Sequence, residues 1–377
     1  APAAAVAATL PVTPAKPAAD SCEPPASAAE AISHRELGGH YFPVALFVPP
    51  ALTLSHFGIR AGIEYHSVPG FARDLSFFSS GTAQPAHLQT VNAAETVDFA
   101  LRLHDIVALV GSGYGLARVG ANVTTLLGTG ADYTYGGSGG VLVKLFRVAG
   151  FQMAVRAEFG GFAGQQAGIV ELFQDIGAIV NVNIRQLAML KDLSQLDLPG
   201  RLNQIETAIT SATAAMLTPF RGFEYGGSLN MAQSLGPMFG LQLALGLYGR
   251  SASYDLPVFD ANTATLLRET RGVDNFSPRL GVALDADLST VHVPLDLMGE
   301  YTLTRQRQSS DLPDSEGDRV WTDHLFALGV HYSGLPDLQL GVMGYITLGQ
   351  SPISGANVQA DGNPFDVGGQ FVFRYLR

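Results

Sequence analysis

Residues 365–377 alternate in a way that few folds accept. Val367, Gly369, Phe371, Phe373 and Tyr375 fall on one side of an extended chain, and Asp366, Gly368, Gln370 and Arg374 on the other. Val372 is the only bulky residue out of place. Side chains of a strand point alternately to opposite faces, so this pattern separates an apolar, aromatic side from a side of glycine and charge. Such a wall suits lipid outside and water inside.

The pattern recurs along most of the chain. Phe57, Ile59, Ala61, Ile63 and Tyr65 oppose His56, Gly58, Arg60, Gly62, Glu64 and His66, and Val97, Phe99, Leu101 and Leu103 oppose Asp98, Arg102 and His104. Phe151, Met153, Val155 and Phe159 oppose Gln152, Arg156 and Glu158. Phe239 to Leu247 and Leu338 to Leu348 continue it, whereas residues 106–118 are less regular and interrupted by glycine. The segments are joined by links that alternate in length. Short links fall near residues 105, 148–150, 235–237, 289–292 and 334–336; long ones are expected over 69–93, 119–136, 161–220, 253–275, 307–320 and 350–364. Membrane barrels have short periplasmic turns and long extracellular loops. The chain therefore reads as an all-β, antiparallel transmembrane barrel of about 12 strands (range 10–14), with both ends of the barrel in the periplasm.

Composition narrows the alternatives. Only 15% of the 377 residues are charged while 47% are hydrophobic, and mean hydropathy is +0.19. No run of about 18 uncharged apolar residues exists, so no spanning helix is expected. A soluble β-sandwich would carry more lysine on its exposed face than Lys16, Lys144 and Lys191 supply. The net charge of −11 without a basic patch argues against nucleic acid. Cys22 stands alone, which leaves no intramolecular disulfide and no cysteine zinc site.

Two segments break the alternation. Residues 1–38 are rich in alanine and proline and read as a periplasmic tether, with residues 39–377 as the barrel. Within 165–219, Ile169, Leu172, Phe173, Ile176, Ile179 and Val180, then Leu202, Ile205, Ile209 and Met216, recur at helical spacing. This predicts a helical insertion in one long extracellular loop.

Motifs with chemical meaning are weak. Residues 106–115 imitate a dinucleotide turn without its βαβ context, and Gly136-Gly-Ser-Gly-Gly140 matches Gly-x-Ser-x-Gly in a glycine-rich stretch where such matches are cheap. The pair His331 and Ser333 resembles the His-x-Ser of the outer-membrane phospholipases over three residues, beside a turn expected at the periplasmic end. Neither catalysis nor a metal nor a cofactor is expected. The inward parity collects Arg60, Glu64, Asp98, Arg102, Lys144, Arg156, Glu158, Glu224, Arg250, Arg279, Asp285, Asp296, Glu300, Asp366 and Arg374 as lumen-lining residues. Mixed signs predict weak ion selectivity or a filled lumen. The closing strand should pair with the strand at 52–68, setting Asp366, Gln370 and Arg374 opposite Arg60 and Glu64.

Over 51–377 the chain resembles bacterial outer-membrane β-barrels as a class, although it ends Tyr375-Leu-Arg377 where their assembly signal has a terminal aromatic. Segments 165–219 and 42–50 also resemble the helical loops and N-terminal plug of the long-chain fatty-acid transporter family. These resemblances imply a channel or transporter in a Gram-negative cell envelope for passive passage of small solutes, hydrophobic ones included. The implied partners are outer-membrane lipid and a hydrophobic small molecule. The alternative is a non-transporting anchor or subunit that docks other envelope proteins through 1–38 or 165–219.

Overall fold

The computed structural model describes residues 35–73, 86–121, 130–167, 217–260, 265–311, 317–335, 337–350, 354–355, 358–360 and 363–376. A small hairpin comes first, β1 (Glu36–Leu37) with β2 (His40–Tyr41). Eleven long strands follow: β3 (His56–Arg73), β4 (Ala86–His104), β5 (Val107–Gly120), β6 (Ala131–Val148), β7 (Phe151–Ala167), β8 (Leu217–Ser234), β9 (Phe239–Asp260), β10 (Thr265–Asp287), β11 (Leu295–Ser310), β12 (Gly317–Tyr332) and β13 (Leu338–Gln350). The short β14 (Ser354–Gly355) and β15 (Val358–Ala360) precede β16 (Phe365–Leu376).

Strands β3 to β13 and β16 pair antiparallel with their neighbours in sequence, and β16 returns to β3, from Phe365↔Ser67 to Leu376↔His56. Among the described residues this makes a closed barrel of twelve strands. Closure leaves no wall strand with an unpaired edge, which lipid requires because it offers the backbone no hydrogen bonds. The irregular stretch 107–120 is a full strand; its glycines still satisfy the ladder to both neighbours.

Periodicity decides which way each side chain faces. On β16, Val367, Phe371, Phe373 and Tyr375 are exposed on the outer surface, while Val372, Arg374 and Leu376 are buried inside. Phe57 lies in register with Phe99 on one side and Tyr375 on the other, giving an outward aromatic band toward the short-turn end. An outer surface this apolar is stable only in a bilayer, and a closed β-barrel of this kind belongs in the bacterial outer membrane.

Two expectations need correction. The long links are shorter than the sequence pattern suggests: β9 and β10 stay paired out to Asp260↔Thr265, inside the expected loop 253–275. Similarly β3 reaches Arg73 and β6 begins at Ala131. Beyond the lipid both faces of a strand meet water, so the apolar alternation stops while the hydrogen-bonded ladder continues. Second, β16 does pair with β3, but Asp366 stands opposite His66, Gln370 opposite Gly62 and Arg374 opposite Gly58. Residues 42–55 run inside the wall. The proposed helical insertion falls mostly on residues 168–216, outside the described residues; its flanks, up to Ala167 and from Leu217, are strand.

A charge on the lipid side should be costly where the barrel is most exposed. Leu328, 70% exposed in the middle of β12, is the test position. Leu328→Arg should destabilise the barrel in vesicles by about 2–4 kcal/mol, read from urea unfolding of the inserted protein.

Candidate functional site

The lumen is occupied by the chain's own N-terminal segment. Arg35–Ser55 enters at the short-turn end, rises to an apex at Leu46–Val48 and returns to β3. Its lower part is apolar: Leu37, Phe42, Val44, Ala51, Leu52 and Leu54 form one buried cluster with Ala232 and Leu376 of the wall. At the apex Ala45 and Val48 pack on Ala244, Ala283, Met298, Ala327 and Met343, and Phe47 meets the Tyr345 ring edge-on at 5.3 Å. Small inward residues make this possible. A side chain at Gly240 would collide with His40, Phe42 and Asp285, its Cβ within 2.5–2.7 Å of each.

A segment without regular pairing leaves its backbone groups exposed to a nearly dry interior, where each needs a partner. The wall supplies them. The Glu300 carboxylate accepts three successive backbone N–H groups, from Leu46 (2.8 Å), Phe47 (2.7 Å) and Val48 (2.9 Å). Gln339 holds Val44 from both sides, accepting its N–H and donating to its carbonyl, each at 3.3 Å. Arg374 donates to the same Val44 carbonyl at 2.6 Å, and Arg60 donates to the Leu46 carbonyl at 3.3 Å. Gln242, Asn230 and Gln152 donate to the carbonyls of Pro43, Pro50 and Ala51.

At the base, His40 forms a 2.5 Å contact with Asp285, both fully buried. Burial alone would lower the His40 pKa; the Asp285 carboxylate outweighs it and the net shift is upward. Burial holds the Arg35 guanidinium below its ordinary value, with Asp296 the strongest opposing influence.

The fifteen positions expected to line the lumen differ in their surroundings. Glu300, Arg374, Arg60 and Asp285 hold the plug. Asp98 gathers His56 (2.9 Å), Arg60 (3.2 Å) and Arg374 (3.2 Å), with Arg374 passing over Gly58 to reach it across β3. Glu64 accepts from Asn92 (2.7 Å) and Tyr345 (2.9 Å). Arg156 pairs with Glu158 at 2.6 Å, and Tyr114 donates to Glu224 at 3.4 Å. Arg250 lies 3.8 Å over the Phe162 ring and Arg279 4.9 Å over Tyr248. Arg102 sits 3.7 Å from Asp105 at the turn end, and Lys144 lies at a register shift in β6. Asp366 bonds His66 near the outer end. Asp296 is buried opposite His331 near the base, and one of its oxygens has no hydrogen-bond partner.

A cavity of about 540 Å³ runs beside the plug and past its apex, touching Phe47, Val48, Leu52 and Leu54 of the plug and walled by Arg60, Tyr114, Glu224, Tyr248, Arg250 and Arg279. The motif residues are dispersed. Ser112 and Ser138 are cross-strand neighbours in the wall, 2.9 Å apart. His331 is buried beside the base of the plug, and neither its ring nitrogens nor the Ser333 hydroxyl have a partner.

Sequence reasoning missed the glutamines. Gln152, Gln242 and Gln339, each nearly inaccessible, carry the amides that a proline-interrupted backbone needs. The available signal was an uncharged amide at inward parity on three strands, together with the prolines at 43, 49 and 50.

No protein-family model matches the chain, and no curated protein matches it. Solved structures of similar shape exist at very low identity. The translocator domain of the autotransporter NalP from Neisseria meningitidis is 10% identical, covering 86% of this chain and 88% of its own, with a TM-score of 0.48. The transport unit of the autotransporter AIDA-I from Escherichia coli is 9% identical, with coverages of 93% and 97% and a TM-score of 0.43. The P. putida toluene transporter TodX is 8% identical, with coverages of 86% and 90% and a TM-score of 0.37.

Loss of the Glu300 carboxylate should loosen the apex. Glu300→Ala leaves three N–H groups without their acceptor, and Gly240→Leu removes room at the base. Both should raise the amide hydrogen-exchange rate of residues 42–48, by about tenfold or more at 46–48 for Glu300→Ala. Leu328→Ala, on the lipid face, should leave that rate unchanged.

Proposed function

We propose that this barrel is an outer-membrane channel for passive passage of small solutes, held shut at rest by residues 35–55. The observation that carries this is the division of the lumen: a polar, charged wall continues outward from the plug, and the plug is held by side chains of that wall instead of strands of its own. A barrel serving only as a scaffold would gain more stability from a fully packed apolar interior than from a cavity lined by arginine, glutamate and tyrosine. Passage requires the plug to move, because Leu46, Phe47 and Val48 line the cavity and the buried base closes the lumen below. Hydrophobic solutes, implied by the likeness to the long-chain fatty-acid transporters, find their support in Phe47, Val48 and the ring of Tyr248 around that cavity.

An anchor or subunit role rests on a different observation. The base of the plug, where His40 meets Pro237, lies at the short-turn end, the periplasmic side in this orientation, where a partner could meet it.

The two readings separate in planar bilayers. The wild-type barrel should show low, intermittent conductance, and the Glu300→Ala/Gln339→Ala double variant should conduct at least tenfold more of the time. Silence of both proteins, with normal insertion, would favour the anchor. A wild-type barrel as open as the variant would show that the plug does not control the path.

A further inference from the structure

The chain has one tryptophan, and it faces the lumen. On β12, Val320, Phe326 and Leu328 are exposed on the lipid side, so the alternate positions Arg319, Trp321 and Asp323 point inward. Tryptophan in barrels is enriched in the outward girdles at the membrane interfaces, where its apolar ring and N–H each find their medium. An inward indole near the outer mouth needs another explanation.

Its surroundings supply one. Neighbouring strands place inward groups side by side: Gln308 opposite Arg319, Gln306 opposite Trp321, Gly349 opposite Asp323, Thr347 opposite Asp366, and His66 next to Asp366. All of these except Gln306, which lines the cavity beside the apex, join Pro364 in lining a second cavity of about 360 Å³ nearer the outer mouth. That volume lies in the range of small-molecule sites. Asp323 accepts from Trp321 Nε1 (3.1 Å) and Gln306 (2.9 Å), which fixes the indole edge. No aromatic ring or guanidinium among the described residues stacks on its face. Gly349 keeps the space beside Asp323 open, since a Cβ there would lie 3.1 Å from its Oδ1. Arg319 Nη2 is buried with no acceptor.

We propose that this vestibule binds a small neutral saccharide. The charges decide the class. Asp323 and Asp366 repel an anion, Arg319 repels a cation, and both carboxylates are already tied to neighbours in the wall. What remains is a flat apolar ring beside carboxylate, amide, guanidinium and hydroxyl groups. These planar groups match vicinal hydroxyls in pairs, and the C–H face of a pyranose covers an indole. The site deepens the channel reading by naming a solute class, yet binding at the mouth does not require conduction.

The lone tryptophan makes the test direct. Emission of the full-length barrel in detergent is titrated with glucose, maltose, choline, glucuronate and toluene. Glucose or maltose should give a saturable change, with choline and glucuronate at least tenfold weaker. Asp366→Ala, which retains the reporter and touches no plug residue, should weaken sugar binding about tenfold, and Asp366→Asn should recover part of it. Heat-modifiable gel migration verifies that both variants are folded. Absence of a saturable sugar response overturns the proposal. So does tighter binding of choline, glucuronate or toluene, or sugar binding indifferent to Asp366→Ala. Sugar binding by a barrel that never conducts would leave this site standing and remove the channel reading; conduction without sugar binding would do the reverse.

Discussion

The structure depends on finding partners for backbone groups that water cannot reach. In the wall the solution is closure: β16 returns to β3, and every strand of the barrel has two neighbours. Inside the wall no ladder is available to residues 42–55. Their N–H and C=O groups are met one at a time, and Glu300 is the centre of the arrangement because one carboxylate takes three consecutive donors. Three N–H groups turned to one side require a tight local bend, and that bend sets the apex of the plug.

This constraint explains the composition of the inner wall. An inward surface built only to contact water could be uniformly charged. Here it alternates between long polar groups that reach backbone, such as Gln152, Gln242, Gln339 and Arg374, and small residues that leave room, such as Ala244, Ala283 and Gly240. The mixed charges also change their meaning once the pairs are drawn. Asp98 serves three cationic partners and Arg156 is matched by Glu158, so much of the charge is internally neutralised. Arg250, opposite Glu224, and Arg279 also lie over aromatic rings at the cavity.

The outer face was legible in the sequence because lipid imposes one rule on every second residue. Phe371, Phe373 and Tyr375 could be placed from the period alone, and so could the pairing of β16 with β3. Parity also assigned Glu300 and Arg374 to the interior. It could not reveal what they touch, because their partners are backbone atoms of a segment far away in sequence and without periodicity. The seam shows the same limit: Arg374 stands opposite Gly58, and the missing side chain lets it cross to Asp98 on the next strand. Loop lengths were overestimated for a related reason. The hydrophobic signal reports where lipid ends, whereas β9 and β10 continue their hydrogen bonds well into the aqueous zone.

The two ends of the plug are held by different forces, and this orders any opening motion. At the base, Leu37, Phe42, Leu52 and Leu54 are buried together. Withdrawing side chains of that size into water costs about 1.5–3 kcal/mol each. At the apex the fully buried residues are smaller, Ala45 and Val48, with Leu46 and Phe47 only partly buried, and the main restraint is hydrogen bonding. A hydrogen bond exchanged for one to water costs only about 0.5–1.5 kcal/mol net, somewhat more where a charged group such as Glu300 is involved. Water in the cavity touches both parts, but it can replace the apex hydrogen bonds in place, whereas it gives the larger apolar side chains of the base nothing in return. The plug should therefore yield from its tip, with 46–48 folding away from Glu300 as 37–42 and 52–54 remain docked. A path opened in this way widens the existing cavity downward along β10 and β11 without expelling the segment from the barrel.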